Sequence, residues 1–118
     1  MRIILALKGT DLRISIELLF SEEPGLLIVG SAIDTQGMLA LIDASGPDLI
    51  LLDCALPGEP LLEVIKAIQT CESPPSIILL GIESDPGSDI FQVGIDHYVQ
   101  KGDPPEKLVE AFRQIGKS

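Results

Sequence analysis

Short apolar runs alternate along the chain with stretches whose apolar residues fall three and four positions apart. The runs cover residues 3–7, 26–29, 49–52, 77–80 and 97–99. Each is continuous rather than alternating and rich in Ile, Leu or Val, as expected of parallel strands covered on both faces. The stretches between them predict helices. Leu12, Ile16 and Leu19 mark one face of the first, with Thr10 or Asp11 placed to cap it. Met38, Leu41 and Ile42 mark the second, behind Asp34 or Thr35. The third runs from Pro60 through Leu61, Val64, Ile65 and Ile68, with proline in the first turn, where its missing N–H costs nothing. A fourth, near residues 86–93, is short and contains glycine. The last follows Asp103-Pro104-Pro105 and sets Leu108, Phe112 and Ile115 on one stripe.

A strand followed by a helix, five times over and without a linker, predicts one α/β domain over residues 1–118. Five strands at this length suit a flavodoxin-like, doubly wound parallel sheet of order 2-1-3-4-5, sandwiched in three α/β/α layers. Ligands in such sheets bind beyond the carboxyl ends of the strands, where the strand order reverses. Here that point lies between strands 1 and 3. It brings the end of the first run, Leu7-Lys8-Gly9, beside Asp53, which closes the third run. Lys8 and Asp53 are therefore expected to be neighbours.

Composition narrows the function. Apolar residues make up 46% of the chain but aromatic ones only 3%, so the core must be aliphatic. Eighteen acidic against eight basic residues give a net charge of −10. Such a surface repels phosphate backbones, which argues against nucleic acid or an anionic membrane as a partner of this domain. The N-terminal apolar run is too short to span a bilayer and shows no signal-peptide pattern. Cys54 and Cys71 have neither metal nor redox spacing. Together these features point to a reduced, cytoplasmic protein.

Several segments carry a resemblance to a known family. Leu49-Ile50-Leu51-Leu52-Asp53 with Leu56-Pro57-Gly58, and Tyr98-Val99-Gln100-Lys101 leading into residues 105–111, resemble the response-regulator (CheY-like) receiver domains of two-component phosphorelay signalling. Residues 22–32 are similar to the family's second strand. Gly102-Asp103 after Lys101 is similar to the subfamily whose receivers precede a helix-turn-helix DNA-binding domain. The resemblance implies Asp53 as phosphoacceptor, Lys101 as phosphoryl contact, and Tyr98 as a switch aromatic. It also implies an acidic pair after strand 1 that holds Mg²⁺, and a hydroxyl residue at the end of strand 4. Implied partners are a sensor kinase and an output domain. A homodimer through the face of helix 4, strand 5 and helix 5 is also implied, with Ile90, Phe91 and Val93 as its apolar content.

The chain departs from that pattern where the metal would sit. The acidic pair reads Leu7-Lys8, or Lys8-Gly9 if shifted by one, and the hydroxyl position reads Leu80 or Gly81. Asp11 and Ser84 would need altered loop paths to substitute. Without hard carboxylate ligands Mg²⁺ is expected to bind weakly or not at all, so no cofactor is expected. Lys8 and Lys101 are instead expected to pair with Asp53, although Lys8 could equally run out to solvent. The leading expectation is an atypical receiver, not an enzyme, that acts as a regulatory interaction module. The alternatives are a phosphorylation-competent receiver controlling a DNA-binding output domain, and a small flavodoxin-like enzyme or ligand-binding protein. From the residues alone Tyr98 is read as a half-buried strand residue in preference to a switch, His97 as structural, Cys54 as a packed small residue, and Glu83, Asp85 and Asp89 as a solvated rim.

Overall fold

Every apolar run becomes a strand in the computed structural model, which describes residues 1–116; Lys117 and Ser118, read as trailing the last helix, lie outside the described residues. The elements are β1 (Arg2–Ala6), α1 (Thr10–Ser21), β2 (Leu27–Ala32), α2 (Thr35–Ser45), β3 (Leu49–Asp53), α3 (Leu61–Gln69), β4 (Ser76–Gly81), α4 (Ser88–Val93), β5 (His97–Gln100) and α5 (Pro105–Gly116). The strands are parallel and ordered β2-β1-β3-β4-β5, as the alternation predicts.

The continuity of the runs follows from the two packed faces of the sheet. Ile4, Ala6, Ile50, Leu52, Ile77 and Leu79 point to one face and pack with Met38, Ile42, Val64, Ile65, Ile68 and Ile90 of α2, α3 and α4. Their alternate neighbours Ile3, Leu5, Leu49, Leu51, Ile78 and Leu80 meet Ile16 and Phe20 of α1 and Leu108, Ala111 and Phe112 of α5. Burying one such side chain contributes roughly 1.5–3 kcal/mol, and a polar residue on either face would need a hydrogen-bond partner there. Phe20 and Phe112 meet edge to face, with centroids 4.2 Å apart, and join α1 to α5.

The ends of the elements differ from expectation in ways that matter for the site. β3 continues through Asp53, which pairs with Leu80 on β4. α1 is capped by neither Thr10 nor Asp11: Gly9, at φ +105°, takes the cap position without a side-chain bond. α2 does follow the capping rule, with Asp34 accepting a hydrogen bond from the Gly37 N–H at 2.7 Å. Between β1 and β2 the register slips: Ile3 faces Ile28 but Ile4 faces Gly30, leaving Val29 without an opposite residue. The Leu41 side chain packs over Gly30, where a Cβ would stand 3.0 Å from it.

Candidate functional site

Asp53 ends the central strand with no solvent exposure, at the carboxyl edge of the sheet. Three donors converge on it. The main-chain N–H of Lys8 reaches Oδ2 at 3.0 Å, and that of Ala55 reaches Oδ1 at 2.8 Å. The Lys101 ammonium lies 2.8 Å from Oδ1. The carboxylate, which has about four acceptor positions, is therefore largely engaged. A charge so deeply buried is tolerated only when it is paired and hydrogen-bonded in this way.

The topology explains how the three donors arrive. β1 and β3 are neighbours, so the chain leaving Ala6 brings the next N–H groups over the end of β3. Lys101 directly follows β5, which is separated from β3 by β4. Its side chain is one-quarter exposed, so the ammonium spans from solvent to the buried carboxylate. The neighbour expected from the strand order, Lys8, is present, but it meets Asp53 through its backbone. Its side chain is exposed, and the cation on the carboxylate is that of Lys101. Asp11 and Ser84 are also exposed, and neither is among the groups bonded to Asp53. Among the described residues no group of three or more His, Cys, Asp or Glu is placed to hold a metal ion.

The loop after β3 is fastened by a residue that the sequence marked only as one of two at the start of the second helix. Thr35 is buried at 5% exposure. Its N–H donates to the Pro57 carbonyl at 3.0 Å, and its Oγ1 accepts from the Glu59 N–H at 3.0 Å. The first residue of α2 thus grips both sides of Gly58. At the near end of the same loop, Leu56 donates its N–H to the Asp53 carbonyl at 3.1 Å.

Tyr98 is partly buried on β5 and donates its hydroxyl to the Glu83 carbonyl at 2.7 Å. Two residues along the strand, Gln100 donates from Nε2 to the Ile82 carbonyl at 3.2 Å. Cys54 follows Asp53 and lies beside Gly81 and Tyr98. Burial pushes its thiol above the ordinary 9.0, and the neighbouring Asp53 charge adds to the effect. The Tyr98 hydroxyl is pushed above 10.0, again chiefly by burial. A thiol held protonated is a poor nucleophile, consistent with a packed rather than reactive Cys54.

Both shifts favour the protonated form in the folded state. Their stabilisation is complete below the ordinary values and is lost as pH rises through the raised ones. Urea midpoints followed from about pH 7 to about pH 11 are expected to fall above about pH 9. The fall should be shallower in a Cys54→Ala/Tyr98→Phe double variant; parallel curves would show that these two groups do not carry it.

His97 opens β5 opposite Ile78, as part of the sheet. On α4, Ile90 turns into the core, Val93 is half-buried, and Phe91 is 52% exposed. No helix of the described residues is long and apolar enough to cross a membrane.

Comparison with known proteins matches residues 9–113 to the family described as the response regulator receiver domain. The nitrate/nitrite response regulator protein NarP of Escherichia coli is 32% identical over 109 residues, covering 90% of this chain and 50% of NarP. The positive alginate biosynthesis regulatory protein of Pseudomonas aeruginosa is 32% identical over 87 residues, or 74% of this chain and 35% of that protein. The chain thus spans half or less of these two regulators. Among solved structures, the signal receiver domain of the putative response regulator NarL from Mycobacterium tuberculosis superposes with a TM-score of 0.89. Its identity is 25%, and the match covers 99% of this chain and 96% of that one.

Proposed function

Because the chain belongs to the response regulator receiver domain family, we propose that it works as an atypical receiver, a regulatory interaction module whose Asp53 takes phosphoryl groups weakly or not at all with Mg²⁺. The observation that carries this reading is the engagement of a fully buried Asp53 by Lys101 and two main-chain N–H groups. Mg²⁺ demands several hard oxygen ligands in near-octahedral geometry. The positions before α1 offer it a buried Leu7, an exposed Lys8 and Gly9 instead of carboxylates. The donor set does not fit the ion. Transfer of a phosphoryl group to a carboxylate without a neutralising cation brings negative charge onto negative charge. Lys101 supplies one positive charge, and it is already committed to Asp53.

Partners in this reading are proteins: a sensor kinase and an output domain outside this chain. The net charge of −10 supports leaving any DNA contact to that output domain. The exposed Phe91 supports a homodimer face on α4, β5 and α5. A second reading keeps Asp53 as a competent phosphoacceptor, favoured by the 2.8 Å approach of Lys101, which could transfer to a phosphoryl oxygen.

Intact mass after incubation with acetyl phosphate separates the two. No adduct of phosphoryl mass is expected, with or without Mg²⁺. A Mg²⁺-dependent adduct that disappears in Asp53→Asn would establish the second reading in place of the first.

A further inference from the structure

Gly81 closes β4 in a buried position, and its φ lies outside the left-handed region. Its backbone conformation therefore does not call for glycine. The space above it does. A Cβ at this position would stand 2.5 Å from the Tyr98 hydroxyl oxygen and 3.1 Å from Cε1 of the same ring. Real carbon atoms do not approach so closely, so the Tyr98 ring lies inward only because residue 81 has no side chain. The Cys54 Sγ, 3.0 Å from the same point, forms the other wall of the notch.

The segment following Gly81 is held along its length. The Gly81 carbonyl accepts from the Lys101 N–H at 2.7 Å, the Ile82 carbonyl from Gln100 Nε2, and the Glu83 carbonyl from the Tyr98 hydroxyl. Three successive carbonyls are thus matched by three donors at or just beyond β5. Tyr98 and Gln100, two apart, lie on the same side of that strand. Ile82, 76% exposed, is kept at the surface by bonds on both sides of it.

We propose that Gly81 is a fitted seat for the Tyr98 ring, and that the three bonds from β5 hold the β4–α4 loop in one arrangement whatever the chemical state of Asp53. Tyr98 is then a fixed clasp rather than a moving switch. An aromatic that moves needs two positions of similar free energy, whereas the notch and the hydrogen bond both favour the inward one. This seat does not depend on whether Asp53 accepts a phosphoryl group.

The chain has a single tyrosine and no tryptophan, so one label reports the ring directly. With 3-fluorotyrosine incorporated, ¹⁹F NMR should show one Tyr98 resonance, unmoved by beryllofluoride and Mg²⁺ and unmoved in Asp53→Asn, which changes the charge at residue 53 whether or not the metal binds. In Gly81→Ala it should move toward the position of free fluorotyrosine as the added methyl expels the ring. A native resonance that shifts or splits with beryllofluoride would overturn the proposal, as would a Gly81→Ala resonance that stays in place. If Gly81→Ala does not fold, the double variant Gly81→Ala/Tyr98→Ala should recover the fold, because the colliding ring is gone. A double variant that stays unfolded while Tyr98→Ala alone folds would show that glycine is needed for another reason and would overturn the seat. The mass of the same sample after acetyl phosphate keeps the two readings separate. A phosphoryl adduct with an unmoved resonance preserves the seat while discarding the reading of Asp53.

Discussion

Gly58→Ala is expected to lower the stability of the fold by about 3 kcal/mol, a large loss for one methyl group. Gly58 has φ +127°, a conformation that a residue with a Cβ adopts only under strain. An added Cβ would overlap Thr35 Oγ1 and stand 3.0 Å and 3.2 Å from its Cβ and Cγ2. Thr35 cannot easily retreat, because it is buried and bonded to Pro57 on one side of Gly58 and to Glu59 on the other. Relief requires breaking at least one of these bonds, and the loop they hold begins at Asp53. Gly9→Ala is the control. Gly9 has φ +105° and no neighbouring atom within 4 Å of the place a Cβ would take, so its substitution incurs backbone strain alone. Urea denaturation should place Gly58→Ala well below Gly9→Ala. Equal losses would mean that the packing of Thr35 on the loop adds nothing.

Lys101→Met should also destabilise the domain by about 3 kcal/mol, although the methionine keeps most of the apolar stem. The loss arises at Asp53, which has no exposure to water and would keep only its two main-chain donors. Removing one member of a buried pair leaves the other charge uncompensated, and that penalty exceeds the net value of the intact pair. The partial exposure of Lys101 places the effect at the lower end of the roughly 3–5 kcal/mol that breaking a buried pair costs. A double-mutant cycle isolates the term. In the Lys101→Met background, Asp53→Asn should cost markedly less than in the parent, because the unpaired charge is removed with it. An Asp53→Asn penalty of the same size in both backgrounds would show that the two side chains are energetically independent.

The fold was legible because the three inner strands, β1, β3 and β4, are buried on both faces, and a doubly buried strand is apolar at nearly every position. Leu49–Leu52 could be nothing else, and the alternation of such runs with helical stretches allowed little besides the doubly wound order. Asp53 was legible for the converse reason, as a charge where the apolar run ends. Its partners were legible only in part. Strand order brings residue 8 beside residue 53, but whether ammonium or main-chain N–H faces the carboxylate depends on how the chain turns after Ala6. The Ala55 N–H carries no sequence signal, since every residue but proline offers one. Gly81 was read for the hydroxyl it lacks, whereas its neighbours show that its small size makes room for Tyr98. Some acids had a local task hidden by the surplus of negative charge. Asp48, Asp96 and Asp103 accept the N–H groups of Arg2, Ile77 and Gln100 at or near strand ends, where the ladder leaves donors over.

The slip between Ile3 and Ile4 bears on how copies of the chain meet at high concentration. β2 is an outer strand, and the free edge of an outer strand invites the backbone of another molecule to continue the sheet. Val29, the extra residue opposite β1, bends and twists β2 locally, so its free edge does not run straight. An incoming strand would lose register halfway along. The irregularity thus works against an aliphatic sheet growing edge to edge into aggregates.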